Sequence, residues 1–215
     1  MSIFRNTVWL VKGLREYTAS GYTAASAKFT ESDLDVSCEG KCYMITGCNS
    51  GIGKVTALEI GKRGGTVHMV CRNPETAGEA RKELMEVSGN SNYHLHILDM
   101  SQPRDVNSFV RKFTNDNSKL DVLINNAGCM VNQREVVEDG LDKNFATNTL
   151  GTYILTSGLA PLLEQSDQPR VVTVSSGGML VQKLNLDDLQ FEKVMWEESD
   201  RFILTISSLL IDDQI

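Results

Sequence analysis

Glycines clustered behind a short apolar run are the feature of this sequence best suited to bind a ligand. Gly47, Gly51 and Gly53 follow the run Cys42–Thr46, and a helical pattern begins at Ile52. A strand, a glycine-rich turn and a helix in this order leave backbone N–H groups at the helix N-terminus, where the helix dipole adds partial positive charge. Glycine also lets a pyrophosphate lie against the backbone without meeting a Cβ atom. The pattern therefore predicts a dinucleotide site, and its alternative is an ordinary turn.

The elements that would position this turn alternate regularly between strand and helix patterns. Predicted strands cover 42–46, 66–71, 93–98, 120–124 and 171–174, and predicted helices begin at Ile52, Pro74 and Pro103, with a long helical region over 140–165. Such alternation is typical of an α/β fold with a parallel sheet and right-handed crossovers. The sequence therefore predicts a doubly wound, Rossmann-like parallel sheet.

Composition excludes several classes of protein. The chain has 215 residues, of which 41% are hydrophobic and 23% are charged, as expected for one ordinary globular domain. Its net charge of −7 argues against nucleic acid as a partner. The five cysteines show no zinc-site spacing, which predicts reduced thiols in a cytoplasmic protein. His94 and His96 share one strand face without further ligands nearby, so we predict packed or surface histidines and no metal site.

Residues 1–39 are predicted to form a separate N-terminal part. Phe4, Val8, Val11 and Leu14 recur at helical spacing, with basic residues among the polar positions. One interpretation is a basic amphipathic helix that lies on a membrane surface as a peripheral contact. The other, which we favour, is a helix that packs its apolar stripe on the following domain. Residues 18–37 are rich in Ser, Thr and Ala and are predicted to be a connecting segment.

Four motifs occur in an order that points to one protein family. They are Thr46-Gly47-x-x-x-Gly51-Ile52-Gly53, Asn125-Asn126-Ala127-Gly128, Asn148-x-x-Gly151 and Val174-Ser175-Ser176. In these motifs the chain resembles the short-chain dehydrogenase/reductase family, and its retinol-dehydrogenase-like branch in particular, from about residue 40 to about residue 190. The resemblance implies an NAD(P)-dependent oxidoreductase that transfers hydride between nicotinamide and the carbonyl or alcohol group of a small molecule.

The resemblance also assigns a cofactor site residue by residue. The positions are Gly47, Ser50, Gly51, Ile52 and Gly53 for the pyrophosphate, Asp99 and Met100 for the adenine, Asn126 near the adenosine ribose, and Gly128 in the same motif as Asn126. At the end of the second strand, an NAD site has an acid that accepts from the ribose 2′-hydroxyl. Arg72 lies there instead and suits a 2′-phosphate, which favours NADP(H) and leaves NAD as the alternative cofactor. A solvated charge at the strand end is the other interpretation of Arg72.

Catalysis in this family depends on Asn, Ser, Tyr and Lys acting together. By resemblance, Ser176 would polarise the substrate oxygen and Asn148 would help to hold a proton-relay water. The Tyr-x-x-x-Lys pair of the family is absent, since no tyrosine follows Ser176 in this sequence. Tyr43 and Tyr153 are the nearest other candidates and are interpreted as core residues. We therefore expect dinucleotide binding without turnover, because losing a positioned general acid costs about a hundred- to ten-thousandfold in rate.

The last predicted segment, residues 194–215, does not resemble the family, whereas 40–193 forms the predicted dinucleotide-binding domain. We expect a C-terminally shortened chain that lacks the last strands and helices of the fold, and the alternative is a divergent ending. On that expectation an edge strand stays uncovered and the usual family dimer does not form. Two functional readings remain: an oxidoreductase, and a non-catalytic module that binds a dinucleotide or a partner protein.

Overall fold

The computed structural model describes residues 3–131, 133–176 and 188. The predicted tail 194–215 and the end of the predicted domain at residue 193 lie outside the described residues. The helices are α1 (Ile3–Glu16), α2 (Ala19–Ser26), α3 (Gly51–Lys62), α4 (Pro74–Ser88), α5 (Pro103–Asp116), α6 (Lys143–Phe145) and α7 (Thr152–Leu163). The strands are β1 (Cys42–Thr46), β2 (Thr66–Cys71), β3 (Tyr93–Ile97), β4 (Val122–Asn125) and β5 (Arg170–Thr173). Short 3₁₀ turns cover Glu31–Leu34 and Glu138–Gly140, and a π-helical turn, Ala146–Gly151, joins α6 to α7.

The strands form one parallel sheet in the order β3-β2-β1-β4-β5. This order confirms the predicted doubly wound sheet, and the strand limits differ from the predicted ones by at most two residues. The chain adds β2 and β3 on one side of β1, and then returns to the other side for β4 and β5. The order therefore reverses between β1 and β4, and ligands of such sheets bind at the carboxyl ends of the strands beside that point.

Apolar side chains pack on both faces of the sheet. Buried residues on the face covered by α5 and α7 include Met44, Val70, Val106, Val110, Phe113, Leu123, Leu155 and Leu159. Buried residues on the face covered by α3 and α4 include Ile45, Ala57, Val67, Met69, Ala77, Ala80 and Leu84. Burial on both faces explains the nearly continuous apolar sequence of the inner strands. In the described structure β5 is less covered, since Val171 and Val172 are 45% and 46% exposed.

The helical region after β4 begins later than predicted. Helical structure starts at Lys143 rather than near residue 140, because Gly140 has a φ of +75° in a turn. Asp142 caps the new start: its carboxylate accepts the Asn144 N–H at 3.0 Å and the Phe145 N–H at 3.3 Å. The capped start and the π-helical turn set which side chains of this region face the end of β4.

Asp121, the residue before β4, fastens the amino edge of the sheet. Its carboxylate accepts the Cys42 N–H at 2.7 Å and the Ser166 hydroxyl at 2.6 Å, and the Lys119 ammonium lies 3.3 Å away. Burial opposes the ionised form, but the hydrogen bonds from Ser166 and Cys42 outweigh it and lower the pKa of Asp121. One carboxylate thus ties β1 and β4 to the turn after α7.

The N-terminal helix forms as predicted, but its apolar stripe is not buried on the domain. Val8, Val11 and Leu14 are 49%, 60% and 63% exposed. Instead α1 packs on α2, where Gly21 is so close that a Cβ would lie 2.5 Å from a carbonyl oxygen at the end of α1. The favoured prediction is therefore wrong, and 18–37 contains α2 and a 3₁₀ turn rather than a plain connector. In the part of the chain that the structure describes, no helix has both the length and the apolar character needed to cross a bilayer.

Candidate functional site

The turn between β1 and α3 adopts a conformation that favours glycine. Gly47 and Gly51 have φ angles of +67° and +54°, in the left-handed region. A Cβ on Gly53 would lie 2.5 Å from Asn126 Nδ2, so this position is closed by packing. A Cβ on Gly51 would meet no described atom within 4 Å, so open space lies in front of the turn. The N-terminus of α3 thus faces a space that can take an anion.

The other two turn residues assigned to the cofactor lie at the protein surface. Ser50 precedes α3 in an extended conformation and is exposed. Ile52 is 70% exposed, although a β-branched apolar side chain in the first turn of a helix would ordinarily be expected to pack inward. Both positions therefore border the open space, as a contact with a bound pyrophosphate requires.

Asn126 and Thr46 join the carboxyl ends of β1 and β4. The Asn126 side chain donates to the carbonyls of Thr46 and Gly47 at 2.9 Å and 3.1 Å. In return the buried Thr46 hydroxyl accepts the N–H groups of Asn126 and Ala127 at 3.0 Å and 2.9 Å. Asn126 thus supports the glycine turn from β4. The sequence analysis did not predict this role of Thr46. A hydroxyl directly before the first glycine of the turn was the signal that could have indicated it.

Residues after β2 and β3 extend the site along the carboxyl edge of the sheet. Arg72 follows β2 directly and is exposed. The Asp99 carboxylate accepts the Ser101 N–H at 2.9 Å, which fixes the turn after β3. The Met100 side chain is only 5% exposed and packs in the core. Gly151 packs so tightly on the Met100 carbonyl that a Cβ would collide with it.

The two predicted catalytic residues lie on the β4–β5 side of this edge. Ser176 comes three residues after the end of β5, and Val174 between them donates to the Asn125 carbonyl at 2.9 Å. Asn148 lies in the π-helical turn and is 2% exposed. Its side chain donates to the Cys129 carbonyl at 2.9 Å and accepts the Cys129 N–H at 2.8 Å. The side-chain amide of Asn148 is thus hydrogen-bonded to the chain after β4. The π-helical turn that contains Asn148 is of a kind often found at functional sites.

Tyr43 and Tyr153, the two candidates to replace the missing acid, are not both buried in the core as predicted. Tyr153 was interpreted as a core residue, which is wrong, since it is 60% exposed on α7. The helix buries Leu155 and Leu159 instead, which lie on its sheet-facing side. Tyr43 is half-buried in β1 near the amino end of that strand, away from the glycine turn. Burial also raises the pKa of Tyr43, which makes it a poorer source of a phenolate.

Three of the cysteines, Cys48, Cys71 and Cys129, lie near the carboxyl ends of the strands. All five cysteines are free, as predicted. Cys48 and Cys71 are buried with their sulfur atoms 3.9 Å apart, and the hydrogen bond to Cys71 together with burial raises the pKa of Cys48. Burial also raises the pKa of Cys129, against the opposing positive charge of Lys143 and Arg72. The net effect is that Cys129 stays a neutral thiol at neutral pH.

The histidines cluster around a residue that sequence analysis overlooked. His68 on β2 lies 2.9 Å from His96, Nδ1 to Nε2, and its ring stacks on that of His94. His96 is packed and His94 is exposed, which confirms their interpretation as packed or surface histidines. Phe109 and Phe113 of α5 cover the buried rings. No group of three candidate metal ligands occurs within the described residues.

Comparison with known proteins identifies the family. A family model described as short chain dehydrogenase matches residues 41–185. The chain belongs to the short-chain dehydrogenase family. Among curated short-chain dehydrogenases, human dehydrogenase/reductase SDR family member 12 is 59% identical over 197 residues, which cover 92% of this chain and 62% of that protein. Mouse retinol dehydrogenase 12 is 37% identical over 159 residues, which cover 74% of this chain and 50% of that protein.

Solved structures share the fold. An uncharacterized protein from Mycobacterium paratuberculosis has a TM-score of 0.69 at 32% identity, with 79% of this chain and 59% of that chain covered. A short-chain dehydrogenase from Escherichia coli CFT073, crystallised with NADPH, has a TM-score of 0.59 at 24% identity, with 70% and 64% covered. The matched region spans about 62% of the length of the human relative and 50% of that of the mouse relative.

Proposed function

We propose that this chain binds NADP(H) at the carboxyl edge of its sheet, as the cofactor-binding part of a short-chain oxidoreductase. The observation that carries the proposal is the open glycine corner. Gly51 leaves space in front of the N-terminus of α3, whereas Gly47 and Gly53 are packed against the chain after β4. A helix N-terminus facing open space binds phosphate groups through its N–H groups and dipole.

The remaining cofactor contacts follow from the order of the strands. With the pyrophosphate at the glycine corner, the adenosine half extends over the end of β2 and the nicotinamide half over the end of β4. Arg72 then binds the 2′-phosphate of the adenosine, and Asp99 binds the adenine. The bound nicotinamide would supply the hydride, and Ser176 would polarise the oxygen of a carbonyl or alcohol substrate. Asn148, whose side-chain amide is bonded to Cys129, would help to hold a proton-relay water.

Residues 1–215 are expected to bind the cofactor without normal turnover. Every tyrosine of the sequence precedes Ser176. Tyr43 lies near the amino end of β1, and Tyr153 is exposed on α7. The experiment is a fluorescence titration with NADPH beside an assay of NADPH oxidation over a panel of aldehydes and ketones. Binding with turnover below about a hundredth of a family enzyme supports the proposal. Turnover at a normal rate contradicts the inactive reading, and absence of binding contradicts the cofactor site.

The Arg72→Gln variant tests the choice of NADP(H). Removing the guanidinium removes a charge-assisted contact to the 2′-phosphate, so we expect the Kd for NADPH to rise about tenfold. The Kd for NADH should change less than twofold, because NADH has no phosphate at that position. Isothermal titration calorimetry with both cofactors measures the two constants.

The matched control for this variant is Arg111→Gln. Arg111 is an exposed cation on α5, outside the strand end that Arg72 follows. We expect no change in either Kd for this control. An equal loss of NADPH and NADH affinity in Arg72→Gln would mean that the guanidinium does not read the 2′-phosphate.

We also propose that α1 contacts an anionic membrane surface. The stripe Val8, Val11 and Leu14 is exposed beside the basic Lys12 and Arg15, as in helices that lie in the interface of a bilayer. Such helices bind through buried apolar area and through attraction to anionic lipids.

Vesicle flotation tests the membrane contact. We expect the wild-type chain to float with vesicles of phosphatidylserine and phosphatidylcholine, and the Val11→Glu variant to lose at least about tenfold in bound fraction, because a charge replaces the centre of the stripe. The control is Val87→Glu, which places the same charge on α4 at a side chain of similar exposure, 55%. Equal flotation of both variants, or none of the wild type, would exclude the contact.

A further inference from the structure

Two buried asparagines, Asn144 and Asn148, hold the segment that follows β4. The Asn148 side chain bonds both backbone groups of Cys129, as described above. Asn144 repeats the arrangement one turn earlier: its Oδ1 accepts the Val131 N–H at 2.9 Å, and its Nδ2 donates to the Val131 carbonyl at 3.2 Å. Asn144 and Asn148 are only 1% and 2% exposed. Each amide thus satisfies both polar groups of one backbone residue, as a neighbouring strand would.

The spacing of the two asparagines matches an extended chain. Positions i and i+4 of a helix are about 6 Å apart along its axis, and alternate residues of an extended chain are about 6.6 Å apart. The two amides are therefore spaced to hold residues 129 and 131 of an extended segment. Side chains alternate along an extended segment, and Met130, between the two held residues, is 56% exposed.

The held segment lies where the proposed site places the nicotinamide. It follows Gly128, beyond the end of β4 and on the opposite side of the glycine corner from Arg72. An apolar side chain there would cover one face of a bound nicotinamide ring and exclude water from it. Loss of the Asn144 amide would leave two backbone groups of Val131 without their partner and free the segment from its extended form.

We propose that Asn144 is a positioning residue that, with Asn148, presents Met130 as an apolar wall of the nicotinamide half of the site. The inference rests on the proposed function, since it assumes that a dinucleotide binds across the glycine corner. Asn144 acts only through the segment 129–131 and does not itself contact the ligand. Its effect is therefore confined to one half of the dinucleotide, which distinguishes it from a residue that only stabilises the fold.

The test compares two probes in the full chain: NADPH, and 2′,5′-ADP, which carries the adenosine half and its 2′-phosphate without nicotinamide. In Asn144→Ala we expect the Kd for NADPH to rise about tenfold, and the Kd for 2′,5′-ADP to stay within twofold. Met130→Ala removes the wall but no hydrogen bond, and should raise the Kd for NADPH about threefold without affecting 2′,5′-ADP. This second variant keeps the inference testable if Asn144→Ala does not fold.

The matched control is Asn90→Ala. Asn90 also bonds backbone groups with its amide, donating to the Gly61 and Gly65 carbonyls at 3.0 Å and 2.9 Å. Gly61 lies in the last turn of α3 and Gly65 lies directly before β2, away from the segment after β4. We expect this variant to lower the melting temperature and to leave the ratio of the two Kd values unchanged. Equal losses for both probes in Asn144→Ala, or an unchanged Met130→Ala, overturn the inference while cofactor binding stands. If the wild-type chain binds neither probe, the proposed function fails and the inference fails with it.

Discussion

Replacing Gly53 with alanine is expected to weaken NADPH binding by at least about a hundredfold. The new Cβ would lie 2.5 Å from Asn126 Nδ2 and 2.7 Å from the Gly47 carbonyl oxygen. Neither neighbour can move freely, because Asn126 bonds the carbonyls of Thr46 and Gly47. The turn must therefore shift, which misplaces the N–H groups in front of the open space and costs about 1–3 kcal/mol of stability. Calorimetric titration with NADPH, together with urea unfolding, measures both effects.

Gly78→Ala provides the matched control for this substitution. Gly78 lies within α4, and a Cβ there would meet no described atom within 4 Å. Alanine should therefore stabilise the helix by about 0.5–1 kcal/mol and leave the NADPH affinity unchanged. Normal binding in a folded Gly53→Ala variant would show that the glycine corner does not hold the pyrophosphate.

Acid is expected to destabilise the fold through His68. Burial, together with the charges of His96 and His94, lowers the pKa of His68 to about 3. The unfolded chain, with an ordinary pKa of about 6.5, binds a proton that the folded chain rejects. Stability from this group is therefore complete above about pH 6.5 and decreases as the pH falls towards 3. By pH 4.5 we expect the loss to amount to roughly 2–3 kcal/mol.

Urea unfolding of the wild-type chain and of His68→Leu at pH values from 8 to 4.5 measures this loss. Carboxylates also titrate in this range, but they are common to both proteins and cancel in the difference. The variant removes the titrating ring, so its stability should fall less steeply with decreasing pH. Because His96 is also packed under Phe109 and its own pKa is lowered by burial, some acid sensitivity will remain in the variant. Parallel stability curves for the two proteins would contradict the assignment to His68.

Local sequence patterns were sufficient to predict the sheet and the glycine corner. Strand, turn and helix signals such as Asn73-Pro74 act within a few residues, and Asn73 does cap α4, accepting the N–H groups of Glu75 and Thr76. A doubly wound order then follows from the alternation of elements. The N-terminal helix was equally visible, but which way its stripe faces depends on distant surfaces that periodicity does not describe.

Features that depend on pairs of distant residues were not predicted. The contact between His68 and His96 joins neighbouring strands across 28 residues. The residues around either histidine give no local pattern that predicts this contact. The i, i+4 spacing of Asn144 and Asn148 was present in the sequence. Its structural role could not be predicted, because it depends on contacts of the two amides with the segment after β4. Tyr153 was misassigned because an aromatic residue on a mostly apolar helix is usually buried, and here the buried side is filled by leucines.

The carboxylate of Asp121 has a consequence for how this molecule can vary. It secures the amino ends of β1 and β4, whereas every residue assigned to ligand recognition lies past the opposite, carboxyl ends of the strands. Anchoring and recognition are thus separated by the full height of the sheet. Substitutions at the carboxyl ends of the strands can therefore change the choice of cofactor or substrate without breaking the hydrogen bonds of Asp121 at the amino ends.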